Sequence, residues 1–384
     1  MRFGRFVIFA LCTAFAFMSC IKDAPKNDEC DIVSAWVEGD EYSAYFYQPS
    51  HMKIENISTG ENEISFIVIS LITFPDTIPV NFTITEGAVI EPPSGSMQNF
   101  KSAPVIYTVT SEDGKWQRKY TVKFQEFSMP SSTFSFEHVD VKTGQVGNNL
   151  YHEFYEEDAN GNRLSIWASG NPGAVTIKLN STPEEQPTYQ CEVGYKGKGL
   201  CLNTQSAGEL GEWMKKPIAA GNLYLGSFIF EEVMMNPLKA TRFGIPYTES
   251  PVRITGWYKY KPGDTFTNAQ KDPVPGKIDE ADIYAVLYRN TDKDGNEVYL
   301  YGDDVLTSSY IVRKARVESL PPTDEWTQFE MFFDNGAVDY ELLKNQGYNL
   351  TIVFTSSKDG ASFEGAIGST LYVDEVEIFF EELD

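Results

Sequence analysis

The chain has 384 residues, a formal net charge of −24 and an aromatic content of 14%. That length exceeds one small core and suits two domains, while the acidic surplus repels phosphate backbones and excludes nucleic acid as a partner. The 21 tyrosines and 26 phenylalanines favour strands, and no convincing helical period runs beyond two turns. Arg2 and Arg5 precede an uncharged run from Phe6 to Met18, which has the length of a signal-peptide core and is too short to cross a bilayer of ~30 Å. Residues 1–19 are therefore expected to be a secretion signal, and the polar stretch 20–30 a tether.

The last residues of that run, Phe17-Met18-Ser19-Cys20, resemble the bacterial lipobox, although Phe17 stands where Leu is usual. The resemblance implies that Cys20 is diacylated and that the mature chain hangs from a membrane by its lipid. An ordinary signal peptide with an incidental cysteine is the alternative. Acidic residues soon after Cys20 resemble the export signal that carries some Gram-negative lipoproteins to the exterior of the outer membrane. The periplasmic face remains the other choice.

From residue 31 to 127 short alternating runs are separated by turns. ISFIVIS (64–70), VNFTIT (80–85), VIYTVTS (105–111) and KYTVKF (119–124) each fit a strand. Asp113-Gly114 tolerates the positive φ of a tight hairpin turn, and Trp116 beside it is expected to pack. The stretch 84–124 resembles an Ig-like module found at the N-terminus of surface lipoproteins in polysaccharide-degrading gut bacteria. It carries the Pro-x-Ser-Gly turn, Phe100, Pro104-Val105, the Tyr107-Thr108-Val109 strand, Asp113-Gly114 and a final Tyr120-x-Val122 strand. The resemblance implies an Ig-like β-sandwich acting as a spacer.

Residues 128–133 read as a linker, and 134–384 as a second, larger all-β block. GLCLNT, LGSFIF, VRITGWYKY, ADIYAVLYRN, EVYLYG, WTQFEMFF and NLTIVFTSS are strand-like, and STLYVDEVEIFFEE closes the chain with an alternation whose phase blurs near its end. Such a block is an antiparallel jelly roll or sandwich. Phe136-Glu137, Gly199-Leu200-Cys201-Leu202, Gly256-Trp257-Tyr258, Trp326-Thr327-Gln328-Phe329 and Tyr372-Val373-Asp374-Glu375-Val376 occur in the order of the galactose-binding-like jelly roll of carbohydrate-binding modules. IWASGNPGA, NPLKATRFGIPY, GWYKYKPGD, DIYAVLYRN and SSKDGASFEGAIGSTLYVDEVEI resemble, more specifically, the putative carbohydrate metabolism domain family. The resemblance implies a glycan as partner and names no reaction.

A sugar offers an apolar face and a ring of hydroxyls, so a site needs an aromatic platform and hydrogen-bonding side chains. Trp167, Asn171, Trp213, Trp257 and Tyr260 are candidates on that ground, as are Lys358 and Asp359 in the long Gly- and Ser-rich loop 356–369. Core packing is the competing role for each aromatic. NTDKDGNEVY (290–299) begins like a calcium loop but has Tyr301 where the bidentate Glu belongs, and reads as a hairpin turn. No cofactor is required by any motif. The jelly-roll resemblance implies a different, structural Ca²⁺ at Glu137 and Asp374.

Cys191 and Cys201 flank EVGYKGKGL, whose centre can reverse the chain, so they either form a disulfide or remain thiols. His51, His138 and His152 are scattered, and neither a nucleophile elbow nor a phosphate loop is present. A glycoside hydrolase needs only two carboxylates, and among 55 acidic residues, including Glu153, Glu156, Glu231 and Glu232, the sequence does not name the pair. The reading that results is a cell-surface lipoprotein of a glycan-uptake complex that binds glycan through its C-terminal jelly roll. A glycoside hydrolase on the same sandwich and an adhesin or structural surface component are the alternatives.

Overall fold

The computed structural model describes residues 26–381 except 47–48, 56, 58–61, 127–131, 145–148, 159–160, 162, 176–179, 214 and 231. The expected signal peptide, Cys20, most of the tether and most of the linker lie outside the described residues, as does Glu231. No helix among the described residues is long and apolar enough to cross a membrane.

Residues 32–126 build two small sheets and a two-stranded pair, Ile78–Pro79 with Met97–Gln98. Strands β1 (Ile32–Trp36), β2 (Glu63–Val68), β3 (Asn81–Ile84), β4 (Val89–Glu91), β5 (Val105–Thr110) and β6 (Gln117–Glu126) carry most of the pairing. β1 lies between Lys53–Ile54 and β3, and the other sheet runs β2, β6, β5, β4, with β2 parallel to β6. Period-two alternation puts Phe66, Tyr107, Val109, Tyr120 and Val122 inward, where they form one core with Ile32, Ala35 and Phe82. The Asp113-Gly114 turn forms as expected, with Gly114 at φ 73° and the Asp113 carboxylate accepting from Ser111 Oγ and the Lys115 amide. Trp116 departs from expectation, since it stays exposed at the hairpin.

Residues 133–380 form a two-sheet antiparallel sandwich. Its strands are β7 (Thr133–Phe134), β8 (Trp167–Ala168), β9 (Thr188–Cys191), β10 (Gly199–Asn203), β11 (Asn222–Phe228), β12 (Pro251–Lys261), β13 (Asp282–Arg289), β14 (Ile311–Arg316), β15 (Thr323–Phe332), β16 (Tyr348–Thr355) and β17 (Thr370–Phe380). A six-stranded sheet runs β9, β10, β17, β12, β15, with β7 also on β17. A seven-stranded sheet runs β8, β11, β16, β13, β14, with Thr241–Phe243 added to β11 and Ile245–Tyr247 to β16. Between the sheets Leu200, Tyr258, Phe329 and Val373 from one face Leu223, Ile283, Leu350 and Phe354 from the other.

The blurred phase of the closing strand has a physical cause. Its register against β12 shifts between Thr255 and Trp257, and Glu375 takes φ 47°, so a bulge inserts one residue. Leu371 and Val373 before the bulge and Val376 and Ile378 after it therefore all face the core. EVYLYG does not become a strand: its Leu300 makes only an isolated bridge to Phe243. NTDKDGNEVY is a turn, with Asp292 accepting from the Asp294 and Asn296 amides and Gly295 at φ 83°.

Candidate functional site

β13 is buried along nearly its whole length, so the seven-stranded sheet is covered on both faces. Ile283, Ala285 and Leu287 belong to the core between the sheets, whereas Tyr284, Val286 and Tyr288 join Tyr224, Phe243, Leu300, Val305 and Val353 in a second apolar cluster on the outer face. The roof over that outer face is irregular. It consists of short helices α1 (Gly208–Trp213), α2 (Glu232–Met235) and α3 (Pro237–Ala240), the Gly302–Thr307 turn and the loop after β16.

Roof and sheet do not meet everywhere, and a cavity of about 490 Å³ remains between them. Tyr224, Tyr284 and Val353 form its floor, and Phe228, Phe243, Leu306 and Phe363 contribute further apolar wall. Its ionisable lining is sparse: Lys216, Arg316 and Lys358 against Asp282 and Asp303. Asp282 is buried in β13 and accepts two bonds from Arg316, at 2.8 Å from Nε and 2.6 Å from the terminal nitrogen. Burial raises the Asp282 pKa, and the guanidinium pulls it back. Asp303 pairs with Lys239 at 3.2 Å.

The loop after β16, the first expectation for a functional loop, does reach this cavity through Ser357, Lys358, Gly360, Ala361 and Phe363. Buried Asp279 fixes it by accepting from Ser357 Oγ, the Ala366 amide and Ser369 Oγ at 2.6 to 2.7 Å. Lys358 lines the cavity and also meets Glu280 at 3.1 Å, while Asp359 is held to Lys277 at 2.8 Å. Trp213 ends α1, whose Gly211 lines the cavity, and it is 81% exposed.

Three other candidates are core residues. Trp167 is buried among Phe134, Phe136 and Phe354, and its indole N–H donates to Glu156 Oε1 at 2.8 Å. Glu156 is itself buried with that indole as its donor, and desolvation pushes its pKa up to about 7. Asn171 is fully buried and cross-braces backbone, donating to the Thr188 carbonyl at 2.6 Å and accepting from the Thr188 amide at 3.2 Å. Tyr260 faces inward, because β12 puts Tyr258 and Tyr260 on the core side. Trp167 is paired into the sheet through β8 on β11, and Asn171 opens a one-turn helix, Asn171–Ala174, whose start is braced on β9 through Thr188.

Trp257 lies on the opposite sheet, on its outer face and away from the cavity lining. Tyr195 stacks flat on it, with centroids 4.0 Å apart and planes 8° apart, and Lys259 sits over Trp326 and Tyr372. The hairpin loop that carries Tyr195 rests on the two residues expected to hold calcium. Lys198 N donates to Glu137 Oε1 at 3.0 Å, and Lys196 N donates to Asp374 Oδ2 at 2.9 Å. Burial lifts the Asp374 pKa to about 6 although amides oppose the rise. Among the described residues no group of three or more His, Cys, Asp or Glu side chains converges. Glu137 and Asp374 do reach one loop, so they fit a hard cation only with backbone carbonyls completing its shell.

The disulfide alternative is not realised, for Cys191 and Cys201 are free thiols. Cys191 is opposite Gly199 and Cys201 is opposite Tyr189, so the two cysteines are diagonal neighbours. Diagonal positions are about 7–8 Å apart, beyond the usual reach of a disulfide.

Sequence reasoning missed Asp282, Tyr284 and Arg316. DIYAVLYR reads as an undivided buried strand, and the signal it did carry was a polar and aromatic set, Asp282, Tyr284 and Tyr288, alternating with Ile283, Ala285 and Leu287.

Fold and site together define an all-β protein, a smaller sandwich followed by an antiparallel jelly roll with a roofed cavity on one sheet. Residues 135–379 match the family described as putative carbohydrate metabolism domain, and the chain belongs to that family. Residues 49–124 match the family described as SGBP, N-terminal. A protein from Bacteroides thetaiotaomicron described as a putative glycoside hydrolase is 38% identical, with a TM-score of 0.79 over 94% of this chain and 99% of its own. A second, from Bacteroides vulgatus and described in the same words, is 34% identical, with a TM-score of 0.60 over 66% of this chain and 99% of its own. Comparison with curated proteins gives no match.

Proposed function

We propose that this protein is a surface glycan-binding protein whose jelly roll holds a saccharide in the cavity on the seven-stranded sheet. The observation that carries the reading is the cavity itself: about 490 Å³, floored by Tyr224 and Tyr284, with a few charged side chains at its walls. That is the size and the balance of apolar and polar lining that small-ligand sites have. Lys358 would bond sugar hydroxyls, Asp359 would hold the loop that presents Lys358, and Trp213 would extend the platform at the rim. Membership of a carbohydrate family and the SGBP N-terminal match support the same reading. In it, residues 31–127 are a stalk, Cys20 carries the lipid, and the protein serves a glycan-uptake complex at the outer membrane, facing outward.

Affinity electrophoresis of the full mature chain against a polysaccharide panel tests the binding. Retention by at least one polymer that is lost in Phe363→Ala supports it, and retention unchanged in Phe363→Ala overturns the cavity as the site. Palmitate labelling that persists in Cys20→Ala would overturn the anchor.

A hydrolase reading draws on the descriptions of the two relatives. Its acid would be Asp282, whose pKa burial raises. Both acidic residues of the lining are already closed by cations, Asp282 by Arg316 and Asp303 by Lys239, which favours binding over catalysis. Reducing-sugar release that disappears in Asp282→Asn would reverse that preference. A structural Ca²⁺ at Glu137 and Asp374 predicts a rise in Tm with added calcium, absent in Asp374→Ala.

A further inference from the structure

We infer that the cavity takes an acidic sugar residue, one bearing a carboxylate or a sulfate ester, with its anion on the Lys216 ammonium and its apolar ring face on Phe363. The inference rests on the glycan-binding reading above and names the class of glycan.

Each of the other charged side chains of the lining already has an opposite charge. Arg316 is paired with Asp282, Asp303 with Lys239, and Lys358 with Glu280. Lys216 has no carboxylate within ion-pair reach among the described residues; its contact is the ring of Phe363, 5.7 Å from Nζ to the centroid. Lys216, a residue of intermediate burial, therefore lines an apolar cavity without a counter-ion among the described residues, in a chain whose net charge is −24. Burial also lowers the Lys216 pKa, with no neighbouring charge opposing it. An unpaired cation in an apolar wall is costly, and an anionic ligand group supplies the missing partner as a charge-assisted hydrogen bond. A neutral sugar does not.

Both residues are held in place by backbone features. The Lys216 amide donates to the Gly211 carbonyl at 2.7 Å. A Cβ at position 211 would stand 2.4 Å from Ala207 Cβ and 2.6 Å from the Lys216 carbonyl oxygen, so glycine permits that close approach. Phe363 adopts φ 59° and ψ 31°, a left-handed conformation uncommon for an aromatic residue, just after the Gly360–Ser362 turn within the loop that Asp279 anchors. A general attraction to polyanions is ruled out as the source of binding by the chain's own charge, so recognition has to be local.

The test uses the full mature chain in calorimetry and affinity electrophoresis with polygalacturonate, dextran sulfate, and neutral galactan and xylan. Binding of an acidic polymer is expected, weakened about tenfold or more in Lys216→Gln and largely kept in Lys216→Arg. Polygalacturonate carries only carboxylate and dextran sulfate only sulfate ester, so the polymer retained identifies the anion. Thermal melting of Lys216→Gln separates a lost contact from a lost fold, and Lys216→Met repeats the test with the apolar stem kept. Tight binding of a neutral polymer, unchanged in Lys216→Gln and lost in Phe363→Ala, overturns this inference and leaves the cavity reading standing. An equal loss in Lys344→Gln, an exposed lysine that pairs with Glu341 at 3.7 Å and does not line the cavity, would mark diffuse charge and overturns it too. Failure to bind any polymer overturns both readings.

Discussion

The two sheets of the larger sandwich share a core yet differ on their outer faces. On the seven-stranded sheet the outward residues Tyr224, Tyr284, Tyr288 and Val353 are as buried as the inward ones, because Phe243, Leu300 and Val305 fold back over them. On the six-stranded sheet the outward Trp257, Lys259 and Tyr372 stay half exposed, with Tyr195 laid flat on Trp257. A face covered by a second layer of short, irregular pieces closes imperfectly, and the gap becomes a cavity. The open face offers a surface with no enclosure. The position of the candidate site thus follows from which sheet is roofed.

The comparison breaks first at its largest expected effect, which is packing. Tyr288 is fully buried on the roofed face, where its hydroxyl donates to the Phe243 carbonyl and accepts from Asn349 Nδ2. Tyr288→Ala is expected to cost about 3–5 kcal/mol, the range for losing a buried aromatic side chain. Tyr195 is 46% exposed on the open face, and Tyr195→Ala is expected to cost about 1 kcal/mol. Denaturant unfolding of the two variants measures both. Equal losses would mean that the roof is not a packed layer.

How far this contrast is legible in the sequence differs between the sheets. β12 announces itself, because VRITGWYKY alternates and its Trp257 side is left half exposed. β13 does not: with both faces covered, its polar and apolar positions are all buried, and period-two reading has nothing to separate. The strand-rich fold, the closing strand and the long loop at 356–369 were readable from composition and pattern. Trp167 and Asn171 were not, since their roles depend on Glu156 and Thr188, partners that no local pattern identifies. The cavity was invisible for the same reason, being made by segments separated by more than a hundred residues.

Two buried carboxylates, one beside each sheet, sharpen the comparison through pH. Glu156, 6% exposed and bonded to Trp167 on the edge strand of the roofed sheet, is pushed from 4.5 up to about 7 by burial, with the Trp167 indole opposing. Its folded pKa is above the unfolded one. The protonated form therefore favours the fold at low pH, and that contribution is lost as pH rises from about 4.5 through about 7. By the usual conversion the whole swing is on the order of 3 kcal/mol. Glu156→Gln, which keeps an acceptor for the indole, is expected to be more stable than the natural chain at pH 8 and to flatten its melting temperature between pH 5 and 7. A wild-type slope that survives the substitution would show that another group carries it.

Asp374, in the bulge of the open sheet, shares the pH direction, since burial lifts its pKa to about 6 and its protonated form also favours the fold, but replacing it by the amide should have the opposite sign. Its Oδ2 accepts from the Lys196 amide and its Oδ1 from the Glu375 amide, so both oxygens act as acceptors and a side-chain NH₂ can stand in for neither. Asp374→Asn turns an NH₂ toward one of those N–H groups and is expected to destabilise by about 1–3 kcal/mol. Because the Lys196 bond also seats the loop bearing Tyr195, the change should loosen the Tyr195 and Trp257 stack, seen as altered near-ultraviolet circular dichroism. A neutral or stabilising outcome would place Asp374 with Glu156 instead.

Trp213 carries the smallest expected effect on folding and the most direct bearing on the rim. It stands 81% exposed at the end of α1, so its removal leaves the core intact, and Trp213→Ala is expected to change stability by no more than about 0.5 kcal/mol. Its ring is large and rigid, on the last residue of a helix whose Gly211 lines the cavity. Exposure of an indole in that position is unfavourable for the free protein and useful to one that stacks a sugar against it. If the rim extends the platform, Trp213→Ala weakens glycan binding several-fold while Trp257→Ala, on the open sheet, leaves it unchanged. The reverse pattern in the same binding assay would move the site to the six-stranded sheet and undo the link between roof and recognition.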